Sequence, residues 1–322
     1  MRPLVSICVN NFNYAAFLTQ AIDSALAQTY APIEVIVVDD GSTDGSREII
    51  AGYGDRIVPV LKSNGGQASA VNAGVARSTG AIICFLDSDD TFAPEKVARV
   101  VDAFARRDPR SRPTMVHHLL TIVGEGGGAS VGRTIGRKHH SPLNLYDFAQ
   151  RYGFMFYMAG PTSSLVLDRA LADLLFPIPE EGIRTSADDF IVLGAALIGD
   201  LYSIDASLGC YRVHGENAWF AGNRQKPEPF RRSLDRYLND KLAASGLRPV
   251  MWSEQSTKAW SELAGDERWR PLLAEMLAMA ASERAASDHN APAERHRRAA
   301  LRLAIKGLSE AAEVDTNPDS SM

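Results

Sequence analysis

Residues 82–90 read IICFLDSDD, and this stretch decides the fold. Ile82 to Leu86 is a short, wholly apolar run, the pattern of a strand buried on both faces, and it ends abruptly in Asp87, Ser88, Asp89 and Asp90. Strands of that kind belong to sheets covered by helices, where ligands gather beyond the carboxyl ends of the strands. Three carboxylates at one such end mark the first place to look for a site.

Upstream, the chain alternates between two periodicities. Leu4 to Val9 is apolar and is followed by Phe17, Leu18, Ala21, Ile22, Ala25 and Leu26 at helical spacing. Val35 to Val38 predicts a second strand, stopped by Asp39, Asp40 and Gly41, with a helix from about Thr43. Ile57 to Leu61, the helical stretch around Val71 to Ala76, and Ala81 to Leu86 repeat the cycle, and Pro94 opens a helix towards Arg107. The expected fold class is α/β, a single sandwich with a mostly parallel central sheet. Asn10 to Asn13, Asp39 to Asp44 and Asp87 to Asp90 are the strand ends that would converge.

Downstream the pattern is less regular. Thr114 to Val123 predicts a strand; GEGGGASVGRTIG (124–136) fits G-x-G-x-x-A on paper but lacks a following amphipathic helix, so it reads as a hairpin or loop. A helix over Leu143 to Arg151, a strand over Ser163 to Leu167, a helix over Ser186 to Ile198, and two short strands at Leu201 to Ile204 and Leu208 to Val213 complete the expected domain, residues 1–225. Residues 226–322 predict a C-terminal helical extension, with segments at 230–242, 257–263, 269–281 and 292–311 and a frayed tail. Arg295, Arg297, Arg298, Arg302 and Lys306 among leucines suit either a solvated helix or a peripheral membrane contact. Self-association is equally compatible with this composition.

The 322 residues are 45% hydrophobic and 23% charged, which describes an ordered globular chain. A formal net charge of -5 supplies no global attraction for nucleic acid, and none is expected as a partner. Cys8, Cys84 and Cys210 are far apart; an odd count and no leader segment lead to the expectation of a cytoplasmic setting, with peripheral attachment at the membrane as a variant. No apolar run approaches the roughly 20 residues that span a bilayer.

The carboxylates suggest the chemistry. Asp87 and Asp89 are one residue apart and point broadly alike in an extended chain, so their charge calls for a hard divalent cation, Mg²⁺ or Mn²⁺. A capped turn before the Pro94 helix would account for one acid, Asp90, and leave the other two. The Asp39–Asp40 corner could accept a hydrogen bond from a base imide or a ribose hydroxyl, Phe12 could stack on a pyrimidine, and Asn10 borders the same cleft. Asn64, with Gly65 and Gly66 before a helix, could help hold a diphosphate, although a turn alone explains the glycines. His117 and His118 face opposite ways on a strand and make a poor metal pair, and His139 and His140 read as surface residues.

The combination of VSICVNNFNYAAFLTQAIDSALAQTY (5–30), IEVIVVDDGSTDGS (33–46) and NGGQASAVNAGVARSTGAIICFLDSDD (64–90) resembles the glycosyltransferase family 2 catalytic domain, an inverting, GT-A-like nucleotide-sugar transferase. The resemblance continues more loosely through TSADDF (185–190) and YRVHGEN (211–217). It implies that Asp40 reads the base, that Phe12 is a stacking platform, and that Asp89 is the metal ligand. Asp87 and Ser88 would assist the ribose or the hydrated ion. It also implies Asp189 as the catalytic base with Asp188 as its support, His214 in the metal or phosphate shell, Arg212 on the leaving charge, and Asn217 positioning the loop. Asn10 stands where many members carry proline, Phe12 replaces a commoner tyrosine, and FIVLGAAL (190–197) departs from the usual sequence after the base.

The resulting expectation is metal-dependent, inverting transfer of a sugar from a nucleotide diphosphate donor, a UDP-sugar first, to a hydroxyl of a glycan or lipid-linked acceptor. A sugar-nucleotide-binding scaffold without turnover, and a nucleotidyltransferase, are the alternatives. Against the latter, the amino end of this chain lacks the glycine-rich, basic diphosphate loop such an enzyme ordinarily shows.

Overall fold

The computed structural model describes residues 2–108, 110–124, 130–181, 183–214, 217, 228–252, 262–263 and 266–274. Two compact units emerge: Met1–Tyr146 with Phe156–Pro249, and Asp147–Met155 with Val250–Met322.

In the first unit β1 (Val5–Asn11), α1 (Ala15–Leu26), β2 (Ile33–Asp40), α2 (Ser46–Gly52), β3 (Val58–Lys62), α3 (Gln67–Arg77) and β4 (Ile82–Asp87) follow one another as the alternating pattern predicts. Their strands lie side by side as β3-β2-β1-β4, all parallel. β1 is buried along its whole length because both faces are covered. Val5, Ile7 and Val9 pack with Leu18, Ala21, Ile22 and Ala25 of α1. On the opposite face, Cys8 meets Gly74 of α3, where an added Cβ would lie 3.2 Å from the Cys8 Cβ, so the small pair lets α3 settle on the sheet.

Beyond β4 the sheet becomes mixed. β5 (Thr91–Phe92), α4 (Lys96–Arg106), β6 (Thr114–Val123), β7 (Thr134–Ile135), α5 (Tyr146–Tyr152), β8 (Leu165–Asp168), α6 (Arg169–Leu175), α7 (Ala187–Ile198), β9 (Asp200–Arg212) and α8 (Glu228–Ala244) continue the chain. β8 joins β4 and β6 antiparallel, and β6 runs parallel to β9. β7 pairs antiparallel with β6, in keeping with a hairpin reading of this stretch, and residues 125–129 between them lie outside the described residues. The two short strands expected at 201–204 and 208–213 are a single strand, β9. Register shifts near His118 and Leu119 let it absorb the polar residues between its apolar halves, with Ile204 pairing His118 and Ser207 pairing Leu119.

The first unit also runs past residue 225, because α8 packs on α7. Phe230 and Tyr237 place their rings 5.5 and 5.1 Å from Phe190, and the Tyr237 hydroxyl donates to the Leu175 carbonyl. Within the second unit Phe148 packs edge-on against Phe154 and Trp269, and the Tyr152 hydroxyl donates to Asp266. Most of the predicted helical extension, including the basic segment at 295–306, lies outside the described residues. No described helix is long and apolar enough to cross a membrane.

Candidate active site

Parallel pairing brings three strand ends together. Asn10 is in register with Asp87, and Asn11 with Asp39, so the loops after β1, β2 and β4 form one edge. Asp44 ties two of them: one of its oxygens accepts from the Ala15 amide at the start of α1, the other from the Ser46 amide at the start of α2. Ser42 accepts from the Asn13 amide, and Asn13 Oδ1 from the Thr43 amide.

The β2 corner is neutralised from within. Asp40, 2% exposed, accepts from Lys62 Nζ at 2.7 Å, the Gly65 amide at 2.9 Å, the Gly66 amide at 2.7 Å and Asn64 Nδ2 at 3.2 Å. Its carboxylate thus holds the β3–α3 turn in place. Gly41, at φ 82, allows the closure: an added Cβ would lie 2.6 Å from the Asn64 amide nitrogen. Asp39 accepts from Arg47 Nε, the Ser42 amide and Asn11 Nδ2. Burial alone would raise its carboxyl, but the Ser42 hydroxyl and the Arg47 guanidinium hold it below the ordinary range.

The β4 corner is different. Burial, then the neighbouring Asp89 and Asp188, push Asp87 up to about 7, against smaller opposing hydrogen bonds from Thr162 and Gln67. Asp90, buried, lies well above its ordinary value for the same kind of reason, burial followed by Asp89 and Asp87. It does not cap α4. Its oxygens accept from Ser163 Oγ at 2.7 Å and the Arg212 amide at 2.9 Å. The buried ammonium of Lys96 does not relieve this charge; it rests 3.3 Å from the Phe92 ring centroid.

The end of β9 closes over Asp89. His214 Nε2 lies 3.0 Å from Asp89 Oδ2, which also accepts from Asn217 Nδ2 at 3.3 Å. Arg212 Nε donates to the Asp89 carbonyl and its terminal nitrogen to Gln20, with the guanidinium 5.1 Å from the Phe17 ring centroid. Asn10 and Ser88, both buried, keep their side-chain polar atoms without a hydrogen-bond partner among the described residues. Buried polar groups left in this state are costly, and a ligand that completes them recovers that cost.

The structure therefore gathers Asn10, Asp87, Ser88, Asp89, Arg212 and His214 at one edge, with Asp40 and Asn64 joined by hydrogen bonds beside them. Phe12 is 44% exposed, open for stacking. Asp188 acts on Asp87 and accepts from the Tyr157 hydroxyl at 3.1 Å, while Asp189, partly buried, follows it in the first turn of α7. Ser186 does not cap that helix: it sits at φ 71 with no side-chain cap bond, and Gln67 Oε1 accepts the Ala187 amide instead. Gln67, Tyr157, Thr162 and Ser163 escaped sequence reading. Only the hydroxyl run at 162–164 offered a signal.

Among the described residues no three His, Cys, Asp or Glu side chains form a complete metal cage. The charge at Asp87, Asp89 and Asp90 nevertheless fits a cation that takes part of its ligands from a bound anion. His139 corrects another expectation. It is buried, its Nε2 2.7 Å from His117 Nε2, and burial drives both rings below their ordinary range.

Comparison with known proteins agrees with this geometry. Residues 6–110 match the model of the glycosyl transferase family 2. An uncharacterized glycosyltransferase of Nostoc sp. (strain PCC 7120) is 34% identical over 252 residues, 75% of this chain and 76% of the relative. Chondroitin synthase of Pasteurella multocida (strain Pm70) is 41% identical over 107 residues, 32% of this chain and 11% of that one. The crystal structure of S. aureus TarS in complex with UDP-GlcNAc superposes with a TM-score of 0.56 at 19% identity, covering 81% of this chain and 70% of TarS.

Proposed function

The chain belongs to glycosyltransferase family 2, with the GT-A fold, and from that premise we propose that it moves a sugar from a nucleotide diphosphate donor, a UDP-sugar first, to a hydroxyl of a glycan or lipid-linked acceptor with inversion. The observation that carries the reading is the β4 corner: clustered carboxylates lacking sufficient internal positive charge, beside Asn10 and Ser88 with unfilled hydrogen-bonding capacity. Family membership sets aside the nucleotidyltransferase and scaffold alternatives.

In this reading the nucleoside lies along the β1 and β2 ends, with Phe12 stacked on the base. Asp40 contributes to base recognition chiefly by fixing the Gly65–Gly66 amides, since its own oxygens already accept from four residues. Asp89 and His214 would hold Mn²⁺ or Mg²⁺, with Asp87 and Ser88 beside it; when bound, the ion stabilises negative charge on the diphosphate. Arg212 adds fixed positive charge at the same place. Asp189 accepts the proton of the acceptor hydroxyl as that oxygen attacks the anomeric carbon from the face opposite the leaving diphosphate, and Asp188 supports it. A single displacement of this kind inverts the anomeric centre.

The test is a screen of nucleotide sugars with Mn²⁺ or Mg²⁺, transferred sugar being detected by mass, with Asp89→Asn and Asp189→Asn in parallel. Asp89→Asn is expected to weaken metal-supported donor binding, Asp189→Asn to suppress turnover while donor still binds. Normal transfer by Asp189→Asn would remove it from the role of base.

A further inference from the structure

The β3–α3 turn reaches across to the helix that carries Asp188 and Asp189, and one side chain makes the link. Gln67 Oε1 accepts the Ala187 amide at 3.1 Å, Nε2 donates to Thr162 Oγ1 at 3.3 Å, and its backbone amide donates to the Arg184 carbonyl at 3.1 Å. The same side chain and Thr162 both act on the Asp87 carboxylate, holding it lower than burial alone would set it. A primary amide has two N–H donors and one carbonyl acceptor, and here the nitrogen is turned to the Thr162 hydroxyl and the Asp87 side, the oxygen to the helix amide. The opposite amide orientation would set oxygen against Asp87 and N–H against N–H.

The surroundings make this contact a joint between two parts of the site. At the head of α7 the Asp189 amide donates back to the Ser186 carbonyl at 3.2 Å and the Ala187 amide is taken by Gln67, while Ser186 offers no side-chain cap. Its left-handed backbone costs about 1 kcal/mol and is retained only where neighbours fix it. Those neighbours come from the β3–α3 turn. Gly66, at φ 91, runs so close to the 183–184 backbone that an added Cβ would lie 2.9 Å from both the Arg184 Cα and the Ile183 carbonyl oxygen.

We propose that Gln67 is a positioning residue: it sets the first turn of α7, and with it Asp189, relative to Asp87 on the donor side. The inference rests on the reading of Asp189 as the base. Gln67 touches neither reacting atom; it acts through the amide at the head of α7. Two substitutions separate its halves. Gln67→Met keeps length and removes every polar contact. Gln67→Glu keeps an acceptor for the Ala187 amide but sets a second carboxylate against Asp87.

The experiment measures hydrogen exchange of peptides covering 187–190 in the full chain, together with melting temperature, UDP affinity in Mn²⁺ by calorimetry, and transfer kinetics with the donor found in the screen. Gln67→Met should speed exchange at 187–190 by about fivefold, the loss of one cap, with a melting temperature within a few degrees of wild type. It should lower kcat by about tenfold or more while UDP affinity changes less than about threefold. Gln67→Glu should exchange like wild type at 187–190, keep kcat within about threefold and weaken Mn²⁺-supported UDP binding instead. Unchanged exchange at 187–190 in Gln67→Met, or a defect there confined to UDP affinity, overturns the proposal. Altered exchange in a wild-type-like fold whose parent transfers no sugar from any donor would leave the joint standing and strike the enzymatic reading.

Discussion

Two aspartate corners, at the carboxyl ends of β2 and β4, flank the end of β1, and they meet the same electrostatic problem in opposite ways. Asp39 and Asp40 are surrounded by donors from their own chain: Arg47, Lys62, Asn11, Asn64 and the amides of Ser42, Gly65 and Gly66. Asp87, Asp89 and Asp90 have hydroxyls, one backbone amide, Gln67, Asn217 and His214, and the buried lysine Lys96 faces an aromatic ring. The first corner spends its charge on folding a turn. The second leaves its charge less fully answered by the chain, and on the proposed reading a cation bound with the donor answers it; that difference separates the two corners more sharply than the count of acids does.

The largest effect should come from the β4 corner. Asp89→Asn removes the carboxylate that meets His214 and Asn217, and transfer should fall by about a hundredfold or more, the scale of losing one preorganised electrostatic contact. Mn²⁺ should raise the melting temperature of the parent and leave that of Asp89→Asn unmoved. A parent indifferent to Mn²⁺ and Mg²⁺ in both assays would collapse the contrast between the corners.

Asp40→Ala is the matching lesion on the other side. It strips an acceptor from Lys62 and from three further donors, so it should cost about 3 kcal/mol of unfolding free energy by urea titration. Donor binding should weaken as the Gly65–Gly66 turn loosens. A stable variant with only a base-recognition defect would mean that Asp40 serves ligand before fold.

Much of this division was legible in the sequence, because it is local. Apolar runs ending in asparagines at β1 and in acids at β2 and β4 marked these strands and their common edge, and parallel pairing needs only the alternation with helices to follow. What stayed hidden depends on distant partners. Ser163 reaches Asp90 across 73 residues and Gln67 reaches Ala187 across 120, spacings at which no periodicity carries a signal. His139 read as exposed because its polar, glycine-rich surroundings look like surface; in the fold it is buried against His117 of β6. β9 looked like two strands since the polar residues between its halves resemble a turn, and a bulge against β6 is a tertiary event.

Asp87→Asn tests the β4 corner directly through stability. The folded Asp87 carboxyl is raised from 3.8 to about 7, so the folded state holds the proton more tightly than the unfolded chain between those values. Its stabilising contribution is complete below 3.8 and is lost as pH rises through about 7. Without added metal, Asp87→Asn should therefore be more stable than the parent at pH 8, by about 2 kcal/mol once partial exposure is allowed for, with the gap closing towards pH 4. Mn²⁺ should narrow the gap at pH 8 by stabilising the parent. A gap that is independent of pH would mean that the charge at this corner is already compensated.

Arg47→Ala should produce the smallest change, and it sharpens the comparison because it asks what neutralises the filled corner. Arg47 is 45% exposed and its bond to Asp39 is 2.9 Å, so screening by water keeps its contribution to about 1 kcal/mol at pH 7. The folded carboxyl of Asp39 lies below 3.8, so its hydrogen bonds stabilise the fold above that value and are lost as pH falls through the folded value. The Arg47→Ala deficit should follow the same course, present at pH 7 and shrinking in acid, as read by urea midpoints at each pH. A deficit of that size leaves the Ser42 amide and hydroxyl and Asn11 as the main support, which is the sense in which this corner is filled by the turn itself. A loss of several kcal/mol would instead make one exposed guanidinium its counterion, and the β2 corner would then differ from the β4 corner only in having captured its cation from within the chain.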